Sequence, residues 1–168
     1  MNDDVIWKDL EGIFGKAYEV SNFGQIKSKE RLILNKNRYK EYYVKSKSKI
    51  KTLRTNGVEN HLFADLYFKD ESGNIHRKSA YVHKEVAVAF IMRPEPLIRH
   101  NSASQKVSLD YRYVEHIDGN FENNIPSNLK WMNFLDLYKK QVKNGRVETL
   151  DLYKHSSLWK KSNNNKTK

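Results

Sequence analysis

The stretch from Val114 to Trp131, VEHIDGNFENNIPSNLKW, constrains this chain more than any other part of it. Tyr111 to Glu115 is a β-prone run, so His116 falls where a strand gives way to a loop. Asp118-Gly119-Asn120 is strong turn chemistry, because glycine accepts positive φ and Asp or Asn side chains bond back to nearby backbone. Asn120, Asn123, Asn124 and Asn128 then crowd a short loop. Their amides can bond backbone groups that no ladder satisfies, which would stiffen the loop and aim His116. Leu129 to Met132 reads as the returning strand, and Asn133 with Asp136 three residues on reads as the capping box of a helix. Strand, asparagine-braced loop, strand and helix make a ββα unit with one histidine at its mouth.

At these residues the chain resembles the HNH nucleases, in particular the homing-endonuclease branch. The matching pattern is Glu115-His116, Asp118-Gly119-Asn120, Asn123-Asn124 and Asn128-Leu129-Lys130-Trp131. The resemblance implies an α+β chain whose ββα-metal (His-Me finger) core follows an N-terminal antiparallel β-hairpin region. It further implies hydrolysis of DNA phosphodiester bonds with one Mg2+ or Mn2+ ion and no zinc. His116 stands as the general base, since an imidazole titrates near neutral pH. Glu115 stands where the family has Asp or Asn as metal ligand, and an acid suits a cation that takes hard oxygen donors. Asn128 resembles the family's middle asparagine, which clamps the loop and orients the base. Asp118, Gly119, Asn120, Asn124 and Trp131 read as structural. The family's second ligand, an Asn or His six residues after the tryptophan, is here Leu137. Three accounts follow: Asp136 takes over as ligand; Glu115, phosphate and water hold the ion alone; or the site is dead.

At 168 residues, a single domain with a small appendage is the default. The net charge of +11 points to a polyanionic partner, nucleic acid first and an acidic membrane surface or acidic protein second; DNA is the expected nucleic acid, with RNA left open. The chain has no cysteine, so disulfides and thiolate zinc sites are excluded. Met1-Asn2-Asp3-Asp4 carries acids rather than a basic leader, and no apolar run reaches membrane-spanning length. A soluble, intracellular protein without membrane partners is expected.

Residues 1–34 contain Trp7-Lys8, Leu10, Gly12, Tyr18, Val20-Ser21-Asn22, Gly24 and Ser28. This set resembles the short modular (NUMOD-type) motif that precedes the core of many HNH homing endonucleases. Read as residues alone, Trp7 and Tyr18 pack a small core, and Asn22 and Gly24 turn a hairpin. Residues 35–60 form the most basic window: Lys36, Arg38, Lys40, Lys45, Lys47, Lys49, Lys51 and Arg54, with three tyrosines interleaved. If Lys45 to Lys51 is one strand, four ammonium groups share a face, which phosphate neutralises and a solvated edge strand also tolerates.

The core is expected over 61–145. Leu62 to Phe68 and Ile75 to Val82 read as a hairpin, and His83 to Ile91 as a short helix with a buried face. Val82-His83-Lys84-Glu85-Val86-Ala87-Val88-Ala89-Phe90 resembles a family signature, and His83 reads as a capping or packing residue. His61, His76, His100 and His155 read as surface residues. Arg99 to Ser108 reads as a polar loop, a mobile insertion. The helix after the core is expected to stop at Asn144-Gly145. Residues 146–168 read as a further short helix and a basic, disordered tail. The sequence leaves two functions open: a metal-dependent DNA nuclease, and a non-catalytic nucleic-acid-binding protein on the same scaffold.

Overall fold

In the computed structural model, residues 4–55, 57, 60–100 and 106–145 are described. The expectations for 146–168 therefore lie outside the described residues. The chain forms two compact units, one from residues 1–93 with 114–131 and one from 94–113 with 132–168.

The first unit opens with strands β1 (Trp7–Asp9), β2 (Tyr18–Ser21) and β3 (Ile26–Ser28), with a 3-10 turn at Gly12–Lys16. It continues with β4 (Arg31–Lys36), β5 (Glu41–Ser46), β6 (Lys49–Ile50), β7 (Arg54–Thr55), β8 (Leu62–Lys69), β9 (Ile75–Tyr81) and helix α1 (Val82–Phe90). The sheets run in the orders β1-β2-β3-β6, β4-β5 and β7-β8-β9, and each of these pairings is antiparallel.

The turn between β2 and β3 is built by its own residues. Gly24 sits at φ +76° and its amide donates to the carbonyl of Ser21 at 3.0 Å. Ser21 Oγ accepts from the amides of Phe23 and Gln25 at 3.3 and 3.0 Å, which leaves the buried hydroxyl satisfied. Asn22 does more than turn the chain. Its Oδ1 accepts from the amide of Ile6 at 2.8 Å and its Nδ2 donates to the carbonyl of Asp4 at 3.2 Å, tying down the strand entry.

Alternation along β2 and β3 sends Tyr18, Val20 and Ile26 into one core with Ala64 and Leu66 of β8, Ala80 of β9 and Val82 and Val86 of α1. Each fully buried Val, Ile or Leu there contributes about 1.5–3 kcal/mol. Tyr18 keeps its hydroxyl satisfied by donating to the carbonyl of Tyr67 at 2.7 Å. Leu129 reaches the same core, so the histidine loop is anchored to the N-terminal sheet.

The lysine run does not form one strand. Lys45 lies in β5, opposite Leu32 of β4, whereas Lys49 lies in β6, opposite Ser28 of β3. Ser28 Oγ accepts from the Lys49 amide at 3.1 Å, a bond across 21 residues that reinforces the pairing of β6 with β3. The expected row of four ammonium groups is therefore broken: Lys45 and Lys49 lie in different sheets, and Lys47 and Lys51 lie in no strand.

The second unit contains β10 (Leu97–His100) and β11 (Lys106–Leu109), paired antiparallel from Leu97↔Leu109 to His100↔Lys106. At the two ends of the polar loop expected over Arg99 to Ser108, the residues Arg99 and His100 and Lys106 to Ser108 are thus paired strand. Backbone pairing needs no apolar side chain at every position, and buried Leu109 anchors one end of the ladder. Strand β12 (Tyr111–His116) pairs with β13 (Leu129–Asn133), and helix α2 (Phe134–Lys143) follows. Asn133 caps α2 by accepting from the amide of Asp136 at 3.0 Å, and Gly145 at φ +66° ends it. Among the described residues, no helix is long and apolar enough to cross a membrane.

Candidate functional site

The loop from Ile117 to Asn128 is laced by its own side chains. Ile117 donates to the carbonyl of Asn128 at 2.8 Å, which closes the loop where β12 ends and β13 begins. Asp118 is the hub. Its carboxylate accepts from the Asn120 amide at 2.8 Å, from Asn123 Nδ2 at 2.7 Å and from Asn128 Nδ2 at 2.8 Å. Those three donors, Asn123 foremost, hold its carboxyl below the usual 3.8. Asn128 also accepts from the Asp118 amide at 3.0 Å and donates to the carbonyl of Asn123 at 2.8 Å. Gly119 supplies the φ of +76° that the bend requires.

His116 is 3% exposed, and its Nε2 lies 3.0 Å from Asn124 Oδ1. The orientation of the Asn124 amide is set by two further bonds, because Nδ2 donates to the carbonyls of Phe121 and Glu122 at 3.2 and 3.0 Å. The atom facing His116 is then the acceptor oxygen, so Nε2 must carry the hydrogen and donate it. This assignment follows from the bonding pattern. Its consequence is that the lone pair of His116 sits on Nδ1, which is buried and has no hydrogen-bond partner among the described residues.

Two further imidazoles share this pocket. His83, in the first turn of α1, lies with its ring centroid 5.3 Å from that of His116. His61, just before β8, lies 4.3 Å from His83 and 5.6 Å from His116. Phe121 presents itself edge-on to His61 at 4.6 Å and to His116 at 5.5 Å. Burial, reinforced by the neighbouring His61 and His116, pushes His83 down to about 3, so it is a neutral ring at physiological pH. His83 does not cap α1, which has no side-chain cap. The surface reading of His61 is corrected as well: it is half-buried against two histidines that are distant in sequence. No local spacing could have announced it, since its partners come from a helix start and a strand end. His76 is likewise engaged, 2.9 Å from Asp70 Oδ2.

Glu115 is half-buried on β12, next to His116 in the chain. Asp136 is exposed in the first turn of α2, followed by Leu137. Trp131 donates from Nε1 to the carbonyl of Ile91 at 3.2 Å and is covered by Arg93 at 4.4 Å. Trp7 carries Lys27 over its ring at 4.0 Å. In the basic window, Lys36 ends β4, while Arg38, Lys40, Lys45, Lys47, Lys49 and Arg54 are exposed. Lys51 is half-buried, with its ammonium over Tyr18 at 5.5 Å. Lys45 pairs with Glu30 at 2.6 Å and Arg54 with Asp65, so two of these cations already have acidic partners.

Residues 6–58 match the NUMOD4 motif model, a range that spans the N-terminal sheet and the basic hairpin. The fold matches a solved structure described as "DNA binding and cleavage by the HNH homing endonuclease I-HmuI", with a TM-score of 0.50 and 24% identity. The chain carries a NUMOD4 motif and has the fold of an HNH homing endonuclease. The match covers 86% of this chain and 62% of I-HmuI, so the chain spans under two thirds of that protein's length. No curated protein matches it.

Proposed function

We propose that the protein is an HNH-type DNA endonuclease, hydrolysing phosphodiester bonds through a ββα-metal core with His116 as general base. The observation that supports this most is the Nδ1 lone pair of His116, whose tautomer follows from the Asn124 contact at 3.0 Å. In this reading Nδ1 takes a proton from water, the water oxygen attacks phosphorus, and the 3′ oxygen leaves. Asn128 and Asp118 keep the loop from shifting while the ring changes charge.

The fit of a Mg2+ or Mn2+ ion rests on few donors. Asp118 spends its carboxylate inside the loop, which leaves Glu115 as the hard-oxygen donor beside His116 and Asp136 as the acid on α2. Glu115 would hold the ion, with phosphate and water as its other donors. When bound, it supplies charge stabilisation at the phosphate. DNA contacts are assigned to Arg38, Lys40, Lys47 and Lys49 on the exposed basic segment, with Lys36, Lys45, Lys51 and Arg54 beside them. DNA as the partner is carried over from I-HmuI, which binds and cleaves it, as part of this proposal.

A second reading, a non-catalytic DNA-binding protein on the HNH scaffold, is favoured by one observation. His116 Nδ1 is out of contact with solvent, in a ring with His61, His83 and Phe121 packed around it, so a substrate reaches it only after the pocket opens. Incubating supercoiled plasmid with Mg2+ or Mn2+ separates the two. Cleavage that falls by about 10²- to 10⁴-fold in His116→Ala is the expected result. Salt-sensitive DNA binding without cleavage by the wild type overturns the nuclease reading, and competition with RNA tests the choice of nucleic acid.

A further inference from the structure

The pocket under the braced loop holds more imidazole than a general base needs. One ring nitrogen from each of His61, His83 and His116 lies within 4.8 Å of the other two. The three residues reach this point from the chain before β8, from the first turn of α1 and from the end of β12, so tertiary structure alone assembles them. His83 and His116 are each 3% exposed, and the Nδ1 atom of each is buried without a hydrogen-bond partner among the described residues. A buried polar nitrogen left unpaired costs roughly 1–3 kcal/mol, so two side by side call for a ligand that accepts neither a donor nor an acceptor role but takes lone pairs. A cation does so.

We propose that His61, His83 and His116 form a binding site for a transition-metal ion of the imidazole-preferring class (Zn2+, Ni2+, Co2+ or Cu2+), distinct in chemistry from a Mg2+ site. Three neutral nitrogens and no carboxylate is a donor set that suits these ions and not magnesium. The absence of cysteine excludes thiolate zinc sites but leaves an all-histidine one open. The supporting contact is in place: a metal-bound histidine characteristically donates its other N–H to a fixed acceptor, and His116 Nε2 does this to Asn124 Oδ1 at 3.0 Å. Tetrahedral coordination at about 2.0–2.1 Å puts ligand nitrogens roughly 3.3 Å apart, so the rings close by about 1.5 Å at most on loading. Three protein ligands leave a fourth position for water. Occupancy also takes the His116 lone pair, so the ion blocks the base; that consequence rests on the nuclease reading above.

The test uses the full chain without a histidine tag, stripped by a chelator and titrated with Co2+ in the absence of DNA and magnesium. The expected result is a visible ligand-field band that saturates at one ion per chain and is bleached by Zn2+. His61→Ala and His83→Gln each weaken binding about 10-fold or more, and His155→Ala leaves it unchanged. No band, or unchanged affinity in both pocket variants, overturns the site. Should the variants unfold by circular dichroism, Ni2+ broadening of histidine ring signals in the wild type decides: joint broadening of His61, His83 and His116 supports the site, and broadening of other histidines alone overturns it. Co2+ binding without plasmid cleavage upholds this site and removes the nuclease reading, whereas cleavage without Co2+ binding does the reverse. If both hold, one equivalent of Zn2+ suppresses cleavage by the wild type but not by His61→Ala.

Discussion

Gly24 faces Asn124 so closely that a Cβ on the glycine would lie 2.8 Å from the Asn124 Cβ and 3.0 Å from Val82 Cγ1. The turn of the N-terminal motif and the amide that orients His116 are therefore fitted to one another. Gly24→Ala meets both this contact and a φ of +76°. The backbone alone costs about 1–2 kcal/mol. We expect a lower denaturant midpoint together with shifted resonances for Asn124 and His116. An unchanged midpoint would show that the two segments are not coupled.

Asn124→Ala removes the acceptor that keeps the hydrogen on His116 Nε2. The ring is then free to adopt either tautomer. Cleavage in the presence of Mg2+ should fall about 10- to 100-fold, with His116 still in place. DNA affinity measured by anisotropy should hardly change, because Asn124 is buried and uncharged. A variant that cleaves at the wild-type rate contradicts the positioning role.

Acid should loosen the loop late. Hydrogen bonds from Asn123, the Asn120 amide and Asn128 depress the Asp118 carboxyl below 3.8. A depressed folded value means that the bracing is fully present above the unfolded value and is lost as pH falls through the lower, folded one. The side-chain amide signals of Asn123 and Asn128 should hold steady down to 3.8 and move below it. Movement centred above 3.8 would mean that the carboxylate is not held by these donors.

Much of this arrangement was legible in the residues. The Asx chemistry of Asp118-Gly119-Asn120, the Asn133 cap and the Gly145 stop act over a few residues, so sequence alone predicts them. The hairpin of β2 and β3 and the helix read from His83, which starts one residue earlier at Val82, follow from side-chain periodicity. His61 was not legible, because its neighbours are set by packing of β8, α1 and the loop rather than by spacing. The division of the lysine run was hidden too. One hydroxyl, Ser28 Oγ, reinforces the pairing of Lys49 in a separate sheet, and alternation carries no sign of that. For Arg99, His100 and Lys106 to Ser108, polarity reads as loop where backbone pairing makes a ladder.

The basic segment should bind DNA through phosphate, with little regard for sequence. Arg38 and Lys40 are exposed at the tip of the β4–β5 hairpin, where Asn37 Oδ1 braces the turn by accepting from the amides of Tyr39 and Lys40 at 3.0 and 2.9 Å. Replacing both by Gln should lower the slope of log affinity against log salt by about 2, weakening all duplexes alike. An unaltered slope would place the DNA elsewhere on the protein.

Both the nuclease chemistry and the metal site depend on which nitrogen of His116 holds the hydrogen, and long-range proton–nitrogen NMR of the imidazoles reads this directly. With the metal removed and the pH neutral, the expected spectrum has His116 protonated at Nε2 and bare at Nδ1, collapsing to a tautomer mixture in Asn124→Ala. A hydrogen found on Nδ1 in the wild type would contradict this, leaving that nitrogen without a lone pair to offer either a water proton or a metal ion.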